Sequence, residues 1–257
     1  MKIHADKLYK RVETTDGSEG AYMLRLISFE IGQGEHVLVT GASGSGKTTL
    51  LSLIAGLQKP TGGTLSLAVD GGASEKVSEK ASEKVSEKTS EKASGDNRVS
   101  MMFQENRLLN ELSAVRNIQV ILPKHFRRTY DVSMIDGSGK KTGDGGRSDS
   151  SVNHSEPEAR ESVEALIRRH LENVLPGVSL DKPVSELSGG ERRRVALVRA
   201  ILAPGEVLLL DEPFTGLDEA ATQTVKEYIE RETAGRTVLL TDHEGTHFPE
   251  WRKIECV

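Results

Sequence analysis

The chain has 257 residues, of which 36% are hydrophobic and 28% charged, a composition that allows one large or two small globular domains. Its net charge of −5 gives no electrostatic support for a nucleic-acid partner. The single cysteine, Cys256, rules out an intrachain disulfide, and no apolar run reaches the roughly 18 residues that a membrane span needs. Met1–Asp6 also lacks the apolar core of a signal peptide. We therefore expect a soluble protein that meets a membrane only through a partner.

The first 69 residues predict two features, short strands and a strand–helix core. Ile27–Ile31 and Thr64–Val69 alternate apolar with polar residues, as in strands exposed on one face. They predict a small antiparallel sheet beside the core. His36–Thr40 is instead a mostly apolar run typical of a buried parallel strand, and residues 48–56 predict a helix closed by Gly56.

Residues 41–48 read Gly-Ala-Ser-Gly-Ser-Gly-Lys-Thr and fit the phosphate-binding loop pattern G-x-x-x-x-G-K-[ST] without a mismatch. The loop lies between the predicted strand and the predicted helix, where its backbone N–H groups and the helix dipole can bind a polyphosphate. We expect Lys47 to reach the β- and γ-phosphates of a nucleoside triphosphate and Thr48 to bind Mg²⁺. The predicted phosphate-binding residues are Gly41, Ala42, Ser43, Gly44, Ser45, Gly46, Lys47, Thr48 and Thr49.

Two low-complexity stretches follow, residues 74–93 and about 131–153. The first repeats Ser-Glu-Lys-x five times. A four-residue step drifts by about 40° per repeat on a helix, so the x positions form no apolar stripe. The repeat predicts at best a marginal, solvated helix in a tolerated insertion, and a docking arm is the alternative.

The middle of the chain predicts a strand and then helices. Arg98–Gln104 has strand character, and the region from Arg107 to about Pro123 is predicted to be mostly helical. Ser155 and Glu158 form a capping box for a further helix. That helix ends near Pro176 and carries an apolar face made of Val163, Leu166, Ile167, Leu171 and Val174.

The segment Leu187-Ser188-Gly189-Gly190-Glu191 has a second capping box, Ser188 with Glu191, which predicts a helix that ends near Ala203. Its glycines and serine hydroxyl at a helix N-terminus suit an anion, although an ordinary capped helix is an equal alternative for the segment alone. Val207–Leu210 next predicts a buried strand that ends in Asp211 and Glu212. An acid there lies at the ligand crevice of an α/β sheet, so we expect Asp211 to hold Mg²⁺ and Glu212 to polarise the attacking water.

In this order the motifs resemble those of the ATP-binding cassette (ABC) ATPases, the motor subunits of transporters. The matching positions are the phosphate loop, a glutamine loop at Gln104, the signature Leu187–Glu191, the acidic strand end Asp211–Glu212, the loop with Leu217 and Asp218, and the switch histidine His243. The resemblance implies an α/β P-loop NTPase core with an antiparallel β subdomain and a helical subdomain at about 105–203. It also implies one cassette that spans residues 1–257.

The family's mechanism assigns further roles by resemblance. Two cassettes, here expected to form a homodimer, pair head to tail with ATP and Mg²⁺ between them, and Asp218 lies in an interface loop. The signature of one subunit binds the γ-phosphate held by the other, through residues equivalent to Leu187, Ser188, Gly189, Gly190 and Glu191. The implied catalytic residues are Glu212, His243 and Gln104, and the implied metal ligands are Thr48, Gln104 and Asp211.

The resemblance implies an ATPase that drives transport through separate permease subunits at the cytoplasmic face of the membrane. The segments 103–109 and 115–118 are similar to importers of the nitrate, sulfonate and taurine type, which implies uptake of a small solute with the help of a solute-binding protein. A soluble ABC ATPase of DNA repair or translation is the alternative, but those proteins usually carry a long coiled coil or two cassettes, and sustained heptads are missing here.

The sequence departs from the family pattern at two places. The aromatic residue that the family usually stacks on adenine falls on Val12, while Tyr9 comes earlier and Tyr22 lies on a later predicted strand. The adenine contact is therefore open. The signature ends in Glu191 where glutamine is commonest, a change that the family tolerates.

Overall fold

The computed structural model describes residues 1–12, 20–68, 75–76, 98–123, 162–242 and 245–257. The strands in these ranges are β1 (Lys2–Arg11), β2 (Tyr22–Ile31), β3 (His36–Thr40), β4 (Gly62–Ala68), β5 (Glu75–Lys76), β6 (Val99–Met102), β7 (Val207–Leu210), β8 (Thr237–Thr241) and β9 (Arg252–Glu255). The helices are α1 (Lys47–Ile54), α2 (Ala114–Gln119), α3 (Val163–Val174), α4 (Gly189–Leu202) and α5 (Glu219–Glu232), with a short 3₁₀ helix at Val184–Glu186. Within the same ranges, no helix is long and apolar enough to cross a membrane.

A parallel sheet with the strand order β6-β7-β8-β3-β9 forms the centre of the described fold. Every residue of β7 and β8 is buried, as expected for strands covered on both faces. On one face lie α2, α3, α4 and α5, and on the other lie α1 and the antiparallel sheet. Because β3, β7 and β8 are parallel, their carboxyl ends meet at one edge. This edge collects residues 41–48, the pair Asp211–Glu212 and Thr241.

The predicted antiparallel sheet is confirmed, with the strand order β2-β1-β4-β5. At the edge of this sheet the helix predicted for the repeat is wrong at two residues. Glu75 and Lys76 form a strand that pairs with Leu67 and Ser66. The edge of β4 offers backbone hydrogen-bond partners to these two residues, whereas an isolated, highly charged helix would be only marginally stable. Residues 77–93, like the second low-complexity stretch at about 131–153, fall outside the described ranges.

The mostly helical region predicted for residues 107–123 is wrong for its first half, because the helix there is limited to α2. The Asn117 side chain explains the difference, since its Oδ1 accepts from the N–H of Leu109 at 2.8 Å. Its Nδ2 donates to the carbonyls of Leu109 and Leu112 at 3.0 and 3.2 Å. These bonds satisfy an irregular backbone before Ser113, which caps α2.

The two longer predicted helices are both present. The helix α3 begins at Val163 with Ser162 as its N-cap, later than the capping box at Ser155 and Glu158, which lies outside the described residues. The helix α4 begins and ends where the sequence predicts, from the capping box at Ser188 to Ala203. Its buried face packs onto the parallel sheet, so the signature at its N-terminus is held by the core.

Candidate active site

The loop of residues 41–48 links β3 to α1 at the carboxyl edge of the parallel sheet. Gly44 and Gly46 have φ of 80° and 96°, the left-handed region that favours glycine. A Cβ on Gly46 would also collide with the carbonyl oxygen of Met23, so only glycine fits where α1 begins. The local backbone thus has the curvature that turns N–H groups toward a phosphate.

Lys47 is nearly buried, with 5% of its surface exposed, and it bridges back across its own loop. Its Nζ donates to the carbonyls of Gly41 at 2.6 Å and Ala42 at 3.0 Å. An ammonium has three N–H donors, so these bonds leave capacity for a phosphate oxygen. The cavity beside it has a volume of about 320 Å³ and is lined by Met23, Ser43, Gly44, Gly46, Lys47, Thr48, Thr49, Gln104 and Glu212.

Asp211 is fully buried at the end of β7. Its Oδ1 accepts from Thr241 Oγ1 at 2.7 Å, whereas its Oδ2 has no hydrogen-bond partner among the described residues. A buried carboxylate oxygen without a partner is costly, and a cation or the water bound to it would satisfy this atom. Mg²⁺ prefers such oxygen donors and is commonly bound through one or two carboxylates, with water and phosphate oxygens completing its shell. Asp211 would supply one carboxylate, and the Thr48 hydroxyl and the Gln104 amide oxygen would be further oxygen donors.

Glu212 has an unusual backbone, with φ of 50° in the left-handed region. Such a conformation costs a non-glycine residue about 1–3 kcal/mol and persists only where the surroundings enforce it. The Glu212 N–H donates to Thr241 Oγ1 at 2.8 Å. Its carboxylate Oε2 accepts from Thr215 Oγ1 at 3.3 Å and from Gln104 Nε2 at 3.5 Å. The carboxylate thereby lies in the same cavity as Lys47 and Thr48.

The sequence analysis assigned no role to Thr241, although its hydroxyl joins the two acidic residues. It donates to Asp211 and accepts from the Glu212 backbone. The sequence could have indicated this role through the position of Thr241 at the end of β8, which pairs with β7 in parallel register. A hydroxyl there necessarily lies next to residues that follow β7.

The signature lies on the surface at the start of α4. Ser188 Oγ accepts from the Glu191 N–H at 3.3 Å, and Glu191 Oε2 accepts from the Ser188 N–H at 2.7 Å, which confirms the predicted capping box. The Ser188 backbone bond lowers the pKa of Glu191, so this residue is ionised at neutral pH. A Cβ on Gly189 would meet nothing within 4 Å, whereas one on Gly190 would lie 3.1 Å from the Gly216 carbonyl. Signature residues are missing from the described lining of the cavity at Lys47.

The remaining predicted site residues are Asp218 and His243. Asp218 is the N-cap of α5, with its Oδ1 accepting from the Ala221 N–H at 2.8 Å. His243 lies outside the described residues. The preceding Asp242 accepts from His247 Nδ1 at 2.8 Å, and the His247 ring stacks on Phe214 at 4.1 Å. His247, which the sequence analysis did not single out, lines a second cavity of about 300 Å³ together with Glu212.

The comparisons with known proteins agree with these motifs. The family model described as "ABC transporter" matches residues 24–215, most of the chain. This chain belongs to the ABC transporter ATPase family. It is therefore an ATP-hydrolysing subunit of that family, built on the P-loop ABC ATPase fold.

Relatives of this ABC ATPase have several transport roles. The lipoprotein-releasing system ATP-binding protein LolD of Hydrogenovibrio crunogenus is 33% identical over 87% of this chain and 78% of that protein. The thiamine import ATP-binding protein ThiQ of Mesorhizobium japonicum is 34% identical over 82% of this chain and 65% of that protein. The aliphatic sulfonates import protein SsuB 2 of Agrobacterium fabrum is 30% identical over 89% of this chain and 67% of that protein.

Solved structures support the fold. A dimeric post-hydrolysis state of the ATP-binding cassette MJ0796, bound to ADP and Pi, has a TM-score of 0.67 at 22% identity. The match covers 99% of this chain and 94% of that one. The overall α/β cassette architecture predicted from the sequence is confirmed.

The surface beside the phosphate loop bears on the adenine contact of this ABC ATPase. The Tyr22 ring is covered by the Arg11 guanidinium at 4.4 Å, and Arg11 Nη2 donates to the Tyr22 hydroxyl at 2.7 Å. Val12 is 47% exposed and lines a cavity of about 430 Å³ with Met23, which also lines the cavity at Lys47. Met23 thus lies between the phosphate loop and Val12 as a shared wall of the two cavities.

Proposed function

We propose that this chain hydrolyses ATP with Glu212 as the group that polarises water. The observation that carries this proposal is the shared cavity in which Glu212 and Gln104 face Lys47 and Thr48. Lys47 binds the β- and γ-phosphates, and Glu212 accepts a proton from the attacking water. When bound, Mg²⁺ would neutralise phosphate charge and would be held by Thr48, Gln104 and Asp211.

The signature completes the site from a second subunit in this proposal. Its Ser188 and Gly189 are exposed and leave space above the start of α4, which suits an external phosphate group. The dimeric state of the cassette MJ0796 supports this arrangement. A homodimer is the proposed assembly, with Asp218 near the interface and His243 against the γ-phosphate.

Either His243 or His247 could be the switch histidine that contacts the γ-phosphate. Alanine variants at the two positions distinguish these two assignments. We expect His243→Ala to lower kcat by about 10²-fold or more, the usual scale for a group that acts on the reacting atoms. His247→Ala should lower kcat less, because His247 is held by Asp242 and Phe214. The opposite ranking in steady-state ATP hydrolysis would transfer the switch role to His247.

The transport role proposed for this ATPase is uptake of a small solute through separate permease subunits. In this proposal the ATPase is bound to the cytoplasmic face of the membrane. A solute-binding protein is a further proposed partner. The similarity to ThiQ and SsuB 2, which their names describe as import proteins, supports uptake. A second candidate is lipoprotein release, which the similarity to LolD favours. Nucleic acid is not a proposed partner.

Copurification from detergent-solubilised membranes tests the transport role and its direction. A tagged chain at its natural expression level should retain permease subunits, and those subunits together with a solute-binding protein should accumulate a labelled solute in vesicles in an ATP-dependent way. ATP-dependent release of a membrane-anchored lipoprotein from the same vesicles would favour the second candidate. A chain that retains no membrane protein and hydrolyses ATP alone would contradict both.

A further inference from the structure

Arg193 lies on α4 shortly after the signature, and its side chain is only 4% exposed. Its Nη1 donates to the carbonyl of Phe103 at 3.0 Å and to the carbonyl of Gln104. Its Nη2 donates to the carbonyl of Glu212 at 2.7 Å and to the carbonyl of Asp211. One guanidinium therefore binds the glutamine loop and the end of β7 at the same time.

These contacts fix the backbone that carries the proposed catalytic carboxylate. Glu212 is in the left-handed region, and both polar groups of its backbone are bound, the N–H by Thr241 and the carbonyl by Arg193. The direction of a side chain follows from its backbone conformation. Arg193 therefore helps to set where the Glu212 carboxylate points.

The same guanidinium also fixes the partner of that carboxylate. It binds the Gln104 carbonyl, while the Gln104 side chain reaches Glu212 Oε2 at 3.5 Å. Both side chains line the cavity at Lys47. The planar fork of an arginine can bind two backbone segments at once, which a single ammonium group does less well.

Arg199, on the same helix, provides a natural comparison. It donates to the carbonyls of Arg107 and Asn106 at 2.7 Å each, so it binds the segment after Gln104. Its hydrogen bonds within the described residues do not reach the end of β7. Burial lowers the pKa of both arginines, although Arg199 is half-buried and Arg193 is buried. They differ in whether they touch the Glu212 backbone.

We propose that Arg193 is a positioning residue for ATP hydrolysis, which holds Gln104 and Glu212 in the relative placement that the reaction needs. It acts through these two residues and does not itself touch the substrate. The inference rests on the proposed role of Glu212.

The first test compares Arg193→Gln with the matched variant Arg199→Gln in steady-state ATP hydrolysis by the full chain. Arg193→Gln should lower kcat by about 10- to 100-fold, the scale expected when a catalytic group is misplaced. Its KM for ATP should stay within about twofold, because Lys47 and the phosphate loop are untouched. Arg199→Gln should leave kcat within about twofold of the parent. Equal losses of kcat in the two variants would overturn the inference.

A double variant separates positioning from a general loss of structure. If Arg193 acts through Glu212, adding Arg193→Gln to Glu212→Gln should lower the residual single-turnover rate by no more than about twofold. Fully multiplicative losses would overturn the inference. A Glu212→Gln variant with parental kcat would instead remove the proposed role of Glu212 itself, so the two failures are distinguishable.

Thermal unfolding of each variant, followed by circular dichroism, accompanies the kinetics. Arg193→Lys is the second variant, since it keeps the charge and should bind one of the two segments. We expect its kcat to lie between those of the parent and Arg193→Gln. If neither Arg193 variant folds at the assay temperature, Arg193 serves the fold and the positioning role is abandoned.

Discussion

The Lys47 side chain is nearly buried. The phosphate-loop motif alone does not predict this burial. Its ammonium binds two carbonyls of its own loop, which links the end of the loop to its beginning. At this scale the sequence located the phosphate loop between its strand and helix, because that loop is a local pattern, while the roles of its residues stay predictions. It could not predict Thr241 or Arg193, whose roles depend on contacts with residues distant in the chain.

Lys47→Ala should abolish ATP turnover, because it removes the positively charged ammonium that is expected to bind the β- and γ-phosphates. We expect a reduced melting temperature as well, since two carbonyls of the loop lose a charged donor. Lys182→Ala, which removes the same charge from an exposed position, is the control. Near-parental turnover in Lys47→Ala would rule out the role given to the phosphate loop.

Val12→Tyr should tighten ATP binding by about 2- to 10-fold, because stacking on an aromatic ring adds about 0.5–1.5 kcal/mol. The reason is that Val12 is exposed and its cavity shares Met23 with the cavity at the phosphate loop. Val12→Leu adds apolar volume without an aromatic face and serves as the control. Fluorescence titration with an adenine-labelled nucleotide measures the affinity, and an equal effect of both variants would place the adenine elsewhere.

At the scale of elements, the strands were easier to predict than the loops that meet them. Short apolar runs bounded by turn residues, such as Val207–Leu210, are typical of buried parallel strands. The stretch before α2 was predicted to be helical because its composition allows a helix. Its backbone is instead bonded at Leu109 to the Asn117 side chain of α2 and at Arg107 to the Arg199 side chain of α4, which is distant in the chain. Tertiary contacts thus override local propensity beside the site.

Removal of residues 77–93 should leave ATP hydrolysis within a few-fold of the parent. The deletion begins after Lys76, so the short strand β5 keeps its pairing with β4. Loop closure depends weakly on length, at about 0.6 kcal/mol per doubling, so a short glycine-containing join should suffice. The steady-state rate and membrane copurification should be measured together. Loss of copurification with hydrolysis intact would show that the repeat is a docking arm.

At the scale of the whole molecule, one subunit presents two half-sites. The phosphate loop, Asp211 and Glu212 meet at one edge of the parallel sheet, whereas the signature is exposed at the start of α4. As far as the described residues go, the cavity at Lys47 is lined without the signature. This arrangement supports the proposed assembly of two subunits around ATP. The sequence implied it only by resemblance, because a surface motif does not reveal its partner.

The most direct test of this account is the Glu212→Gln variant, which keeps the size of the side chain and removes its basic carboxylate. Steady-state hydrolysis should fall by about 10²-fold or more, while ATP affinity stays near the parental value. In size-exclusion chromatography the stalled variant should elute as a dimer with ATP and as a monomer with ADP. A monomer with both nucleotides would contradict the shared site, and undiminished hydrolysis would contradict the role of Glu212.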